Sequence, residues 1–399
     1  MQHSTDRILV THVGSLPRSD ALLGMLSRME AGAEVNREAF RAEVLEGLRT
    51  IVRHQAESGI DIAGDGELPR IGFSFYAKDR MTGFAGEAKR GTVTDFTKFP
   101  GYAALVAARS AGDSNATESA SVWATPECVD TVSYDPQLTQ AREELDLFAE
   151  ALGAESAAEE FAGTFVTAVT PGILATTLLR NADNPAYPTD EAYVMALAEE
   201  LKREYEYIVS RGHILQLDAP DLALERQVMF VDQPLKAFQK RIEIHVDALN
   251  LALQNIPKEQ VRLHVCWGNW DGPHCDDVDL LDILPIVYQA NVGGLSLACG
   301  NPRHAHEVDV FRNLPLPKDM VMFPGVIDVT TNIVEHPQVV ANRIGQWVEV
   351  IGDRERVIAN TDCGFSTFAG YTMVAPDVVW AKMKTMADGA MIATERLWG

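Results

Sequence analysis

Val261-Arg262-Leu263-His264-Val265-Cys266-Trp267-Gly268-Asn269 alternates apolar Leu263, Val265 and Trp267 with Arg262, His264 and Cys266. That period of two is the period of a strand, and it sets His264 and Cys266 on the same side of the backbone. Gly268-Asn269 ends the run, so both side chains stand near a strand terminus. An imidazole and a thiol two residues apart make half of a zinc site. A buried cysteine beside a hydrogen-bonded histidine fits the same pattern, because free Cys is among the most buried residue types. The other half of a metal site has to come from elsewhere. Cys363, in Asn360-Thr361-Asp362-Cys363-Gly364, also follows an apolar run and is the best partner.

Working outward, strand-like apolar runs lie at 8–13, 60–63, 165–169, 214–217, 261–267, 294–297, 321–327 and 356–359. Several end in polar or Gly/Pro-rich residues, such as Asp65-Gly66-Glu67 and Asp218-Ala219-Pro220. Helix-period segments lie between them at 37–57, 189–209, 234–253, 279–290, 337–351 and 376–397. Eight strands alternating with helices predict an α/β chain folded as a (β/α)8 TIM barrel, in which active residues sit at the C-terminal strand ends. An open doubly wound sheet is the alternative, but no G-x-G-x-x-G or Walker loop is present. Residues 68–162 exceed a plain barrel unit. They are expected to be an insertion or lid subdomain between the second and third strands, within a single catalytic barrel domain spanning 1–399. The stretch 83–115 is rich in small residues, and 136–152 reads as a helix.

A net charge of −23 argues against nucleic acid, whose phosphates need Lys and Arg. No apolar run reaches transmembrane length and no signal peptide is evident, so neither a membrane nor export is expected. Five cysteines in 399 residues are not a disulfide framework, and a reducing, cytoplasmic home follows. A homo-oligomer is compatible with all of this.

If His264 and Cys266 end the fifth strand and Cys363 follows the eighth, a barrel mouth brings them together. Two thiolates and an imidazole favour Zn2+ over harder ions. Three protein ligands with an open position are the catalytic pattern, and a substrate thiol bound there becomes a thiolate near neutral pH.

Several motifs resemble the cobalamin-independent methionine synthase family. They are Thr11-His12-Val13-Gly14-Ser15-Leu16-Pro17-Arg18, Asp65-Gly66-Glu67, Leu215-Gln216-Leu217-Asp218-Ala219-Pro220, His264-Val265-Cys266, Pro324-Gly325-Val326-Ile327-Asp328 and Asn360-Thr361-Asp362-Cys363-Gly364. They span nearly the whole chain and match that family's C-terminal catalytic barrel. His264-Val265-Cys266-Trp267-Gly268-Asn269, Asn301-Pro302-Arg303-His304 and Asp362-Cys363-Gly364-Phe365 resemble a short-chain branch that includes epoxyalkane:coenzyme M transferase.

The resemblance implies zinc-activated attack of a small-molecule thiol on an alkyl donor. It places the zinc on His264, Cys266 and Cys363, and the thiol substrate on Ser15, Glu67 and Asp218. Two departures stand out. The family's fourth ligand, a Glu, is replaced by Ala298, with Cys299 next to it as a substitute ligand; Cys275 and His274 are further candidates. The family's catalytic His is replaced by Thr330, which cannot serve as a general acid near neutral pH. His304, His306 and His336 remain as other acids.

Homocysteine S-methylation is the default expectation. Alkyl transfer to another thiol such as coenzyme M, or a zinc lyase or hydrolase on the same barrel, is the alternative. Arg18, Arg70 and Arg303 suit an anionic group. Trp267 and Phe365, with Phe73, Phe75, Tyr76, Trp270 and Phe368, suit either an apolar pocket or the core.

Overall fold

The computed structural model describes residues 1–88, 90–112 and 125–399. The expected alternation of strand and helix is present. The strands are β1 (Ile62–Gly64), β2 (Met81–Ala85), β3 (Glu127–Tyr134), β4 (Gly163–Val169), β5 (Ile214–Asp218), β6 (Val261–Val265), β7 (Gly294–Leu297), β8 (Val321–Ile327) and β9 (Asn360–Thr361). Seven of them form one sheet in the order β1-β4-β5-β6-β7-β8-β9, parallel at every pairing.

The first apolar run closes that sheet. Val10 bridges Ala359 and Thr11 bridges Ile62, both in parallel. Thr11 N donates to Ala359 O at 2.9 Å, and Ile62 N donates to Val10 O at 3.2 Å. The segment around Val10 and Thr11 is therefore the eighth staff, lying between β9 and β1, and the chain is a (β/α)8 barrel. The last apolar run, 356–359, leads into β9: Val357 bridges Met322 and Ala359 bridges Val10, and the buried, polar Asn360 and Thr361 continue the pairing. Polarity signals a strand end only when one face meets water. Inside a barrel both faces are covered.

This double coverage explains β6. Leu263, Val265 and Trp267 pack outward into the large core between barrel and helices. Arg262, His264 and Cys266 face inward. Arg262 is 1% exposed, donates to Thr11 Oγ1 (3.1 Å) and His12 O (2.8 Å), and lies over the Phe165 ring at 3.8 Å. Leu9, Ile62, Phe165, Val321, Phe323 and Ile358 form a separate small apolar cluster, which plugs the barrel beneath the site.

The helices follow their sequence signals. Asn36 caps Arg37–Glu57 by accepting from Ala39 N, and Thr189 caps Asp190–Ser210 by accepting from Ala192 N. Leu235–Ala252, Leu280–Val287, Pro337–Ile351 and Pro376–Trp398 occupy the other expected places. No helix among the described residues is long and apolar enough to cross a membrane.

Between the second and third barrel strands in chain order, β1 and β4, β2 and β3 pair antiparallel as a separate two-stranded sheet. Thr94–Lys98 and Pro100–Gly112 are helical, as is Thr139–Ala154. Of the small-residue stretch 83–115, positions 89 and 113–115 lie outside the described residues. Trp270 Nε1 donates to Asp95 Oδ2 (3.1 Å), Arg109 pairs with Asp271 (2.5 Å), and Lys98 pairs with Asp276. These contacts fasten the segment to the loop that leaves β6.

Candidate active site

The turn after β9 delivers Cys363 to β6. Asp362 is the anchor: its Oδ1 accepts from Gly300 N (2.5 Å) and its Oδ2 from Asn301 Nδ2 (3.0 Å). Burial pushes its carboxyl up to about 7. Thr361 Oγ1 donates to Cys363 O at 2.8 Å, and Asn269 Nδ2 donates to Gly364 O at 2.8 Å. As a result one donor atom each from His264, Cys266 and Cys363 lie within 4.8 Å of one another.

The environment suits a soft divalent ion. His264 Nε2 is buried with no hydrogen-bond partner, while Nδ1 is 3.0 Å from Ser296 Oγ. Asn360 Nδ2 donates to the same Ser296 oxygen at 2.9 Å. Ser296 Oγ can accept from both, and with the proton on Nδ1 the Nε2 lone pair is free for an ion. The hydrogen bond from the Cys363 thiol, then the His264 ring beside it, hold Cys266 well below the ordinary thiol range against its burial. The same hydrogen bond and burial push Cys363 well up. An ion held between the two sulfurs would displace the thiol protons that remain.

Two carboxylates stand beside this group. Asp218 ends β5 beside His264 in the strand register, and Gln216 Nε2 donates to its Oδ1 at 2.9 Å. Glu67 follows β1 in a turn where Gly66 (φ 65°) and Glu67 (φ 56°) are both left-handed. Such strain in a non-glycine residue persists only where its surroundings impose it. Thr167 Oγ1 donates to Glu67 Oε1 at 3.0 Å, while Oε2 is buried and unpartnered. Burial, then the neighbouring Asp218, pushes Glu67 up to about 8; burial pushes Asp218 up to about 6.

A cavity of ≈ 360 Å³ opens above these groups, within the usual size range of small-molecule sites. Ser15, Glu67, Asp218, His264, Cys266 and Cys363 all line it. Its walls are largely apolar: Phe73, Phe75, Phe96, Trp270, Phe368 and Tyr371 contribute rings. Arg90 also lines it, ion-paired to the buried Glu225. Phe96 and Arg90 sit between β2 and β3, and no spacing or motif pointed to either. Only the folding of that segment over the mouth brings them in.

Other expected site residues are placed away from the lining. Arg18 is buried, with its guanidinium donating to Glu67 O (2.7 Å), Arg70 O (2.9 Å), Leu68 O (3.0 Å) and Ser366 O (2.9 Å). It holds the turn that presents Glu67 and has no donor left for an anion. Arg70 is bound to Glu144 and Thr167. Trp267 Nε1 donates to Val278 O (2.7 Å), and its ring stacks on His304 at 3.8 Å, outside the barrel wall. Phe365 belongs to the core.

Cys299 is also a core residue, pushed well up by burial and not part of the three-residue group. β7 ends at Leu297, and neither Ala298 nor Cys299 joins the site. Cys275 is exposed. Thr330 Oγ1 donates to Asp328 Oδ1 at 2.8 Å, capping a loop away from the cavity lining. His306 is exposed, and His336 caps Pro337–Ile351.

A barrel whose strand ends carry this His-Cys-Cys group beside paired carboxylates has known relatives. Residues 167–390, more than half of the chain, match the family described as "Cobalamin-independent synthase, Catalytic domain", and the chain belongs to that family. It is therefore an enzyme of a transferase family.

A methionine synthase of Pyrococcus furiosus is 26% identical over 353 residues, covering 88% of this chain and 84% of that protein. A 2-hydroxypropyl-CoM lyase of Xanthobacter autotrophicus is 29% identical over 179 residues, covering 38% of this chain and only 45% of the relative. A B12-independent methionine synthase from Shewanella sp. W3-18-1, solved with selenomethionine, shares the fold at a TM-score of 0.67. It is 18% identical, with 98% of this chain and 99% of that one aligned.

Proposed function

We propose that this chain is a zinc-dependent alkyl or methyl transferase acting on a small-molecule thiol, with His264, Cys266 and Cys363 as the metal ligands. The observation that carries this is the convergence of one donor atom each from His264, Cys266 and Cys363 within 4.8 Å of one another, with His264 Nε2 buried and without a hydrogen-bond partner. Zinc bound there would supply a Lewis acid that keeps a substrate thiol ionised near neutral pH.

The chain's own groups do the rest. Ser296 holds the His264 tautomer. Burial raises both carboxyls and Asp218 pushes Glu67 further, so of the pair Glu67 holds its proton to the higher pH. Asp218 then receives the ammonium of an amino-acid thiol, and Glu67 Oε2 is the available proton donor. Ser15 bounds the thiol end of the cavity. The rings of Phe73, Phe75 and Phe368 exclude water from an apolar donor.

Homocysteine is the default thiol, in keeping with the methionine synthases among the relatives. Thr330 argues against a donor whose leaving group must be protonated from that position. Alkyl transfer to another small thiol, such as coenzyme M, is the second reading; the 2-hydroxypropyl-CoM lyase relative favours it. The same proposal treats 1–399 as one catalytic barrel, with 68–162 as its covering insertion. It also places the enzyme in the cytoplasm, because five free cysteines suit a reducing compartment.

The test is thiol consumption by the zinc-loaded protein. Homocysteine and coenzyme M are each offered a methylfolate, a sulfonium compound or an epoxide. Loss of one thiol with one donor is expected, and Cys363→Ser should abolish turnover and lose the metal equivalent held at this site. Bound zinc with no thiol consumed under any pairing would sink the transferase reading.

A further inference from the structure

Behind the cavity wall lies a second group of ligating side chains. We propose that His274, Asp277 and His304 form a second, structural metal site for a divalent transition ion such as Zn2+, separate from the thiolate site and independent of its assignment. One donor atom from each lies within 4.8 Å of the others. His274 Nδ1 is 3.0 Å from Asp277 Oδ2, and His304 Nε2 is 2.8 Å from the same oxygen. The side chains are nearly dry, at 12%, 1% and 6% exposure in that order.

The outer atoms of His274 and Asp277 have partners of the kind that orient metal ligands. His274 Nε2 is 3.1 Å from Trp270 O, and Gln227 Nε2 donates to Asp277 Oδ1 at 2.5 Å, while His304 Nδ1 is buried with no hydrogen-bond partner, 3.7 Å from Glu307 Oε1. A divalent ion between the three would take lone pairs from His274 Nδ1, His304 Nε2 and Asp277 Oδ2, the inner atoms that already face one another. Imidazole and carboxylate ligands without sulfur still suit zinc.

The site would fix the wall of the catalytic cavity. His274 sits in a left-handed conformation (φ 53°) and stacks on Trp270 at 3.9 Å, while His304 stacks on Trp267 at 3.8 Å. Trp270 lines the cavity, and this loop leaves β6 directly after Cys266. An ion here would clamp the loop from its outer side.

Full-length protein is stripped with a chelator, reloaded with Zn2+ alone, and its metal counted by mass spectrometry and calorimetry. The wild type should bind two equivalents per chain, and Asp277→Asn one. A Cys266→Ser/Cys363→Ser double variant should keep one equivalent. Reloaded with Co2+, that variant should lack thiolate-to-cobalt charge-transfer absorption while wild type displays it. A single equivalent in wild type that vanishes in the double variant would overturn the proposal and leave a hydrogen-bonded cluster. Two equivalents retained by Asp277→Asn would overturn it as well. If Asp277→Asn does not fold, the wild-type count and the double variant decide. One equivalent in wild type that survives in the double variant would support this site and sink the thiolate one.

Discussion

Gly14 leaves open the space that the Glu67 carboxylate fills: a Cβ at Gly14 would stand 2.4 Å from Glu67 Oε1 and 2.8 Å from Thr167 Cγ2. The strand end that carries Ser15 and the turn that carries Glu67 are thereby pressed together with no atom to spare. Gly14→Ala is predicted to cost about 1–3 kcal/mol of stability, the usual range for overpacking. It should also lower kcat/KM for the thiol more than it lowers metal content. Urea unfolding and steady-state kinetics on the zinc-loaded protein measure both. Unchanged kinetics would mean that the Glu67 position is irrelevant to turnover.

Ser296 Oγ lies 3.0 Å from His264 Nδ1 and accepts from Asn360 Nδ2 at 2.9 Å. Ser296→Ala leaves two buried donors unpaired, and loss of an outer partner typically costs about 10–100-fold in metal affinity. Chelator competition should register that drop. A Ser296→Thr variant keeps the oxygen and should recover most of it. Equal affinities for wild type and Ser296→Ala would remove Ser296 from the metal's support.

Arg18 is predicted to be a positioning residue. Its guanidinium satisfies the carbonyls of Glu67, Leu68, Arg70 and Ser366. Arg18→Met strands these acceptors in the core, at about 1–3 kcal/mol for each group left unsatisfied. The thiol KM should rise as the Glu67 turn loosens. Anionic and neutral thiols should suffer alike; selective loss of anionic substrates would instead make Arg18 their receptor.

Acid should destabilise the barrel through His12. Burial, opposed by its hydrogen bond to Gln55 (2.8 Å), holds His12 down at about 3. The folded ring stays neutral while the unfolded one protonates below about 6.5. Stability from this residue is thus complete above the unfolded value. It is lost as pH falls through the window from about 6.5 towards the folded value, at about 1.4 kcal/mol per pH unit. Urea midpoints at successive pH values should slope less for His12→Asn than for wild type. Parallel slopes would contradict the assignment.

The strand count and the site's location were legible because they rest on local signals. Alternation in 261–267 aimed His264 and Cys266 together, and the chain does place them on the inner face of β6. Cys363 could be paired with them because a closed barrel leaves one mouth for all strand ends. What misled was polarity. Asn360 and Thr361 read as the end of a strand but continue its pairing, and Arg18 looked like a free cation but is consumed by carbonyls. Trp267 and Phe365 read equally as pocket or core, and packing put both in the core.

By itself, the order of residues along this chain determined the barrel and the inward-facing His264 and Cys266, since periodicity and strand-end chemistry act over a few neighbours. Only the tertiary structure decided that Cys299 is core, that Arg90 and Phe96 reach the cavity, and that His274, Asp277 and His304 meet. Those outcomes depend on where distant backbone segments come to rest, and burial there sets what each side chain can touch.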